Sequence, residues 1–192
     1  MAKQTSDQRR ATKQGNLQEV AKHVSYEIRI LIFSAEDVGG CHGSPVITPD
    51  GDYKNMALES FLLHFRNLRD FLCPSLLNGH HKDDDAFASD FIDKFDISDV
   101  GNPTKFPEEE QKKLNKMLAH ISDERVRYIE ARDYNWDTSE ILVRVLGEMR
   151  RFVESLAENR RGWFPSIADL KGAENDALAR IEMSGPVSNS TL

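Results

Sequence analysis

Cysteine, long apolar runs and net positive charge are all scarce or missing in this 192-residue chain. The two cysteines, Cys41 and Cys73, fit no metal-ligand spacing, and we expect free thiols rather than a disulfide. No apolar run approaches the roughly 18 to 20 residues that cross a bilayer. Residues 1–15 also lack the apolar segment of a signal peptide. These absences predict a soluble, cytoplasmic protein with no membrane partner.

The formal net charge of −7 argues against a general nucleic-acid binder, because non-specific affinity for phosphate backbones depends on a basic surface. The charge is unevenly distributed, however. Acidic residues dominate between Asp83 and Glu110, and Lys112, Lys113 and Lys116 follow at once. Two interpretations stay open: a local basic face, or solvated helix surfaces on which acids and bases alternate.

Apolar residues recur at helical spacing in several segments, and no segment is a convincing strand. Asn16 with Glu19 predicts the start of a first long helix, and residues 56–72 predict a second. The first helix also carries Tyr26, Ile30 and Phe33 on the side opposite its main apolar stripe. This second stripe predicts that the helix is covered on both faces, either by a central position in the bundle or by a second subunit.

Further helix starts are marked by acidic residues and proline. Asp83–Asp85 predict a short helix with Phe87, Phe91 and Phe95 on its apolar side. Pro107 with three glutamates predicts another, and Asp137 with Glu140 predicts the last long helix.

We therefore predict an all-α fold, a bundle of four to five helices with disordered ends. The predicted organisation is a flexible arm in residues 1–15, a bundle domain in residues 16–164, and a short helix with a disordered tail in residues 165–192. No internal repeat is evident.

Two histidines, His64 and His120, stand on predicted helices. His64 lies on the flank of the second helix's apolar stripe, near Asn67. It could hydrogen-bond a neighbouring helix, or it could serve as a partly buried acid or base. His120 shares a helical stripe with Lys113.

The stretch from Lys113 to His120 resembles the end of the motif helix in HEPN domains, small all-α bundles that include RNA-cleaving toxins and RNA-binding modules. In that family an arginine and a polar residue precede a histidine, with four to six residues between arginine and histidine. His120 matches the histidine and Asn115 the polar residue, while Leu114 stands where arginine is most frequent. Lys113 is the cation left on this stripe, and lysine lacks the planar fork of arginine.

The resemblance implies metal-independent RNA cleavage in a bacterial toxin or stress system, by a homodimer. The histidine would act as acid and base, and the cation would stabilise the transition state. A degenerate copy could instead retain RNA binding alone, or only the fold and its dimer interface. The candidate catalytic residues are His120, Lys113 and Asn115, with His64, Arg66 and Asn67 as secondary candidates and no cofactor.

Residues 56–72 and the acidic segment after them also resemble small uncharacterised bacterial helical proteins. Within this helix Arg66 and Asp70 have i,i+4 spacing. Arg69 falls near the apolar stripe, so we expect it to need a carboxylate partner, such as one of these residues: Asp84, Asp85 or Asp90.

Two other functions stay open from the sequence. One is a non-catalytic interaction or scaffold protein, in which the histidines serve packing. The other is a metal-dependent helical-bundle hydrolase that combines His64 and His120 with the loop at His80, His81 and Asp83–Asp85. Against the second, no Glu-x-x-His pair of the di-iron bundles is present, and an acidic helix cap explains the aspartates.

Overall fold

The computed structural model describes residues 6–38, 51–77, 85–92, 106–119 and 136–184. Within these ranges the chain forms α-helices and two 3-10 turns, and no β-strand, which confirms the all-α prediction. The helices are α1 (Ser6–Val38), α2 (Gly51–Leu72), α3 (Glu108–Ala119), α4 (Thr138–Ser155), α5 (Glu158–Arg161) and α6 (Ile167–Ser184), and the 3-10 turns are Pro74–Leu77 and Ala88–Phe91.

α1 and α2 pack against each other along much of their length. The predicted apolar stripe of α1 is its buried side, formed by Leu17, Ala21, Val24, Ile28, Leu31, Ala35 and Val38. The helix begins at Ser6 rather than at Asn16, so helical structure extends into the segment predicted as an arm. Most residues of that segment tolerate helix, and the largest cost is Gly15, about 1 kcal/mol relative to alanine.

Four phenylalanine rings join elements that are distant in sequence. Phe152 of α4 meets Phe71 of α2 and Phe164 before α6 edge-to-face, at centroid distances of 5.3 and 5.1 Å. Phe91 contacts all three rings, at 5.3 to 6.0 Å. Edge-to-face pairs contribute about 0.5 to 1.5 kcal/mol each beyond burial. The short segment around Phe91 is thereby fixed to the bundle.

Residues 85–92 of that segment are less helical than predicted, and Phe95 lies outside the described residues. The described part contains one 3-10 turn, Ala88–Phe91, where the sequence predicted an α-helix with Phe87 on its apolar side. Asp90 accepts a hydrogen bond from the backbone N–H of Phe87 at 2.9 Å. Such a local side-chain bond offers the backbone an alternative to continued helix.

α4 begins as predicted, because the Asp137 side chain accepts from the Glu140 backbone N–H at 2.9 Å. α6 packs along α4, with Leu170 and Ala177 buried. Gly147 permits the close approach: a Cβ at this position would lie 3.3 Å from Glu174 Oε1. The bundle therefore continues past residue 164, where the sequence predicted its end, and α6 is an integral layer.

A polar group lies inside the α2–α4 contact. The Arg69 side chain is 2% exposed, and its Nε and Nη2 donate to Asp70 Oδ1 at 2.9 and 2.6 Å. Arg69 thus has the carboxylate partner that it was expected to need, but its own neighbour supplies it rather than Asp85 or Asp90, and Asp84 lies outside the described residues. Asp90 instead caps the turn at Phe87.

Cys73 is buried and forms no disulfide, as predicted, whereas Cys41 lies outside the described residues. Burial raises the pKa of the Cys73 thiol to about 12, and the nearby Glu148 carboxylate adds to the increase. Because the thiolate is the nucleophile, this cysteine is inert at neutral pH.

No helix in the described ranges combines the length and apolar character that crossing a bilayer requires.

The buried Arg69 makes Asp70 a sensitive position. We expect Asp70→Ala to lower the free energy of unfolding by about 3 kcal/mol, because it leaves a buried guanidinium without its counter-charge. Chemical denaturation measures the loss. Glu154→Ala is the matched control: its partner Arg150 keeps Glu174 at 3.2 Å, so the change should stay within about 0.5 kcal/mol. Equal losses in the two variants would contradict the role given to Arg69.

Candidate functional site

α3 carries two of the three primary candidates and is held on α4 by an ion pair. Glu110 Oε1 accepts from Arg144 Nη2 at 2.6 Å, and the Arg144 guanidinium lies 5.8 Å from the centroid of Phe106. Gln111 donates to the carbonyl of Leu76 at 2.8 Å. These contacts fix α3 against two neighbours, so its side chains stand on a packed scaffold.

Lys113 lies over an aromatic ring of its own chain. Its Nζ is 4.6 Å from the centroid of Trp136, a side chain that is 3% exposed. Such cation–π contacts contribute about 0.5 to 2 kcal/mol. The cation that the resemblance places at the arginine position therefore takes part in attaching α3 to the start of α4.

Asn115 has an unsatisfied atom. Its Oδ1 is buried and has no hydrogen-bond partner in the described part of the chain, and the same holds for Trp136 Nε1. A buried polar atom without a partner costs about 1 to 3 kcal/mol. Asn115 thus presents an acceptor that nothing described in the bundle uses.

His120, the third primary candidate, lies outside the described residues, as do His80, His81, Asp83 and Asp84. The predicted combination of Lys113, Asn115 and His120 stays a prediction. Within the described ranges no group of three or more His, Cys, Asp or Glu side chains could hold a metal ion.

The secondary candidates His64 and Asn67 meet on one carboxylate. His64 Nδ1 lies 2.6 Å from Glu27 Oε2, and Asn67 Nδ2 donates to the same oxygen at 3.0 Å. Because a carboxylate only accepts, His64 Nδ1 carries the proton. The Tyr26 ring packs edge-on against the imidazole at 5.8 Å. His64 therefore hydrogen-bonds a neighbouring helix, which is one of the two roles considered for it.

Arg66 is directed elsewhere. Its Nε lies 3.8 Å from Asp70 Oδ2, in the i,i+4 pair expected from the sequence, and Asp70 also holds Arg69. His64 and Asn67 thus contact Glu27 of α1, whereas Arg66 contacts Asp70 of its own helix. The three secondary candidates do not form one group.

A cleft of about 370 Å³ lies between α4 and α6. Each arginine lining it has a carboxylate partner: Arg144 pairs with Glu110, Arg150 with Glu174 at 3.2 Å, and Arg151 with Glu148 at 2.9 Å. An anionic ligand would have to compete with these pairs, so the cleft is a weak candidate for a binding site.

A stronger candidate is the surface of the α1–α2 pair that faces away from α4. We call it the outer face, formed by Tyr26, Ile30 and Phe33 of α1 with Met56 and Leu63 of α2. Four of these side chains are large, apolar and well exposed: Tyr26 is 46%, Phe33 57%, Met56 68% and Leu63 47% exposed. Single exposed apolar residues are ordinary, but a contiguous group marks an interaction site.

Helical spacing shows that these residues share one surface. Ser34 and Ser60 hydrogen-bond at 2.9 Å, so both lie at the α1–α2 contact. Ile30 is one turn before Ser34, and Met56 and Leu63 lie one turn before and after Ser60. The exposed residues therefore flank a common groove, and the Glu27–His64 pair forms part of its floor.

The sequence indicated part of this surface. The stripe of Tyr26, Ile30 and Phe33 was recognised as needing cover, whereas Met56 and Leu63 were not singled out. Glu27 was missed altogether, since an acid between apolar positions has no distinctive pattern. Its partner is 37 residues away, so only the α1–α2 pairing reveals it.

Comparisons of the chain with protein-family models, with curated proteins and with solved structures gave no match.

The Glu27–His64 contact predicts a stability effect. We expect His64→Ala to lower the free energy of unfolding by about 1 to 3 kcal/mol, because a half-buried carboxylate loses a donor. His64→Gln, which keeps an N–H donor, should lose less. The control is His23→Ala, an exposed histidine on α1, with a change within about 0.5 kcal/mol. Denaturant titration measures all three, and an unchanged His64→Ala protein would contradict the role.

Proposed function

We propose that this protein is a non-catalytic, cytoplasmic interaction protein that binds another polypeptide chain through the outer face. The observation that carries the proposal is the contiguous exposure of Tyr26, Phe33, Met56 and Leu63 across two helices. Aromatic side chains and methionine are enriched at the centres of protein interfaces. Two of the four exposed residues are aromatic and one is methionine.

The polar groups beneath this face also suit an interface. Glu27 already accepts two hydrogen bonds, from His64 and Asn67, and Ser34 is paired with Ser60. A partner can therefore cover Glu27 without leaving its charge unpaired, which is the main cost of covering polar surface. The same pairing engages His64 in the helix contact rather than in acid–base work.

Site-specific photocrosslinking in cells tests the interaction function. We expect p-benzoylphenylalanine at position 33 to give a discrete covalent adduct, because Phe33 is 57% exposed on the outer face. The same group at position 178 is the control, since Leu178 is an exposed apolar residue of α6 at 41% exposure.

The adduct should disappear when Leu63→Glu is added, because a charge on the groove opposes its burial. No adduct at position 33, or equal labelling at position 178, would refute an interaction through the outer face.

A second candidate is RNA contact by a HEPN-like protein, through Lys113, Asn115 and His120. The anchoring of α3 on α4 through Arg144 and Glu110 holds Lys113 and Asn115 on a fixed helix, as a binding site requires. Cleavage would be metal-independent and would depend on His120.

An RNA assay in EDTA tests this second function. The folded protein is incubated with an end-labelled RNA pool, beside His120→Ala and Lys113→Gln. We expect His120→Ala to abolish cleavage, and Lys113→Gln to weaken RNA binding because a cation is lost. Lys171→Gln on α6 is the matched control. If the wild-type protein neither cleaves the RNA nor retards it in a gel, RNA contact is eliminated.

A further inference from the structure

We propose that the occupant of the outer face is a second copy of this chain, packed so that the two α1 helices run antiparallel about a twofold axis. This inference rests on the interaction function and names its partner. It is argued from the charges along α1, from the apolar register that those charges set, and from the size of the face.

Charge changes sign along the exposed surface of α1. The exposed cations of this part of α1 are Lys22, which pairs with Glu19, and Arg29, which lies over the Tyr26 ring; Glu36 is exposed and Asp37 half-buried after them. An antiparallel second copy brings the basic end of one helix onto the acidic end of the other, at both ends at once. A parallel copy would place like charges together, which is destabilising.

The same register aligns the apolar residues. When Lys22 faces Asp37 of the second copy, Tyr26 faces Phe33 of that copy and Ile30 lies beside the twofold axis. Each contact then occurs twice, as a closed two-fold interface requires. Aromatic pairs of this kind favour edge-to-face or offset packing and add to the burial of apolar area.

These charged groups have partners within their own chain, but they can still form further bonds across the proposed dimer interface. Lys22 pairs with Glu19 at 2.6 Å, but the Lys22 side chain is 63% exposed and an ammonium group can donate three hydrogen bonds. Asp37 accepts from the Tyr53 hydroxyl at 2.7 Å through one of its two oxygens, and Glu36 uses one oxygen for Arg180 Nη2 at 3.5 Å. Each group thus keeps capacity for a partner across the interface.

The face is large enough for a dimer. From Glu19 to Asp37, α1 spans roughly 27 Å at 1.5 Å per residue, and two packed helices are about 20 Å wide. The flat projection is therefore about 540 Å², which side-chain relief increases toward the roughly 800 Å² per partner of a standard interface. A short peptide would cover only part of this surface.

Mass measurement on the purified full chain is the first test. We expect light scattering to give twice the 21.8 kDa of the chain, falling to the single mass on dilution. Phe33→Glu and Leu63→Glu should each weaken association at least about tenfold, as loss of a central interface residue does. Leu178→Glu makes the same kind of change at an exposed position of α6, and it should leave the dimer intact. Circular dichroism confirms that each variant keeps its helix content.

Orientation is tested by disulfide trapping in a Cys41→Ser background, where the buried Cys73 does not compete. The mixture of Tyr26→Cys and Phe33→Cys proteins should form a mixed disulfide dimer under mild oxidation. Either variant alone should crosslink poorly, since the antiparallel register separates position 26 from its own symmetry mate. Efficient crosslinking of Tyr26→Cys with itself would overturn the antiparallel arrangement.

Different results would contradict the proposed self-association and the proposed interaction function. A monomer in solution, or a dimer indifferent to Phe33→Glu and Leu63→Glu, overturns self-association. If position 33 still gives a photocrosslink of another mass in cells, the outer face binds a different chain and the interaction function stands. If it gives none, both proposals fail.

Discussion

The edge-to-face cluster of four phenylalanines is the contact on which the rest of the bundle depends. It joins α2, the turn at Phe91, α4 and the corner before α6, elements that are separated by up to 93 residues between Phe71 and Phe164. Arg160 reinforces it by donating to the carbonyl of Phe91 at 2.5 Å. Because one aromatic layer fixes these pieces together, α4 forms a base against which α1 and α2 pack with one side each.

That one-sided packing determines which surfaces remain available. α1 is long and is apolar on two sides, yet the described bundle covers just one of them. The second side is left beside the exposed flank of α2, and together they make the outer face. Surface of this extent is costly in water at about 25 cal/mol per Å² of apolar area. Tyr26 also packs against His64, so Phe33, Met56 and Leu63 are the exposed residues that a partner would stabilise most.

Sequence periodicity was sufficient to predict most of the helices, because apolar residues that recur every 3.6 positions indicate a helix with one buried stripe. The stripe of α2 and the cap at Asp137 are both found in the structure as predicted. Periodicity does not show over what length a helix packs against its neighbours, so the sequence did not predict that α6 is a layer of the bundle. It also cannot choose between carboxylates: Arg69 takes the adjacent Asp70 because the guanidinium folds back along its own helix.

The candidate site was harder to predict, because its parts depend on pairing between helices. Lys113 was identified from a motif, but its position over Trp136 follows from how α3 meets α4, and no local pattern encodes that. His64 was identified as buried or reactive, and the choice depended on Glu27 of α1. A residue whose role depends on its own helix alone can be identified from the sequence. A residue whose role depends on a contact between helices can be identified only once that contact is known.

The polar bonds at the α1–α2 contact link the fold to the proposed interface. Apolar stripes alone allow two helices to slide by a turn with little loss, whereas a buried polar pair has its bonding geometry in one register only. Glu27 with His64 and Ser34 with Ser60 together fix that register. The register in turn places Ile30 of α1 across the groove from Leu63 of α2. The interaction surface therefore depends on a few hydrogen bonds beneath it, and His64 supports binding by holding the two helices in place.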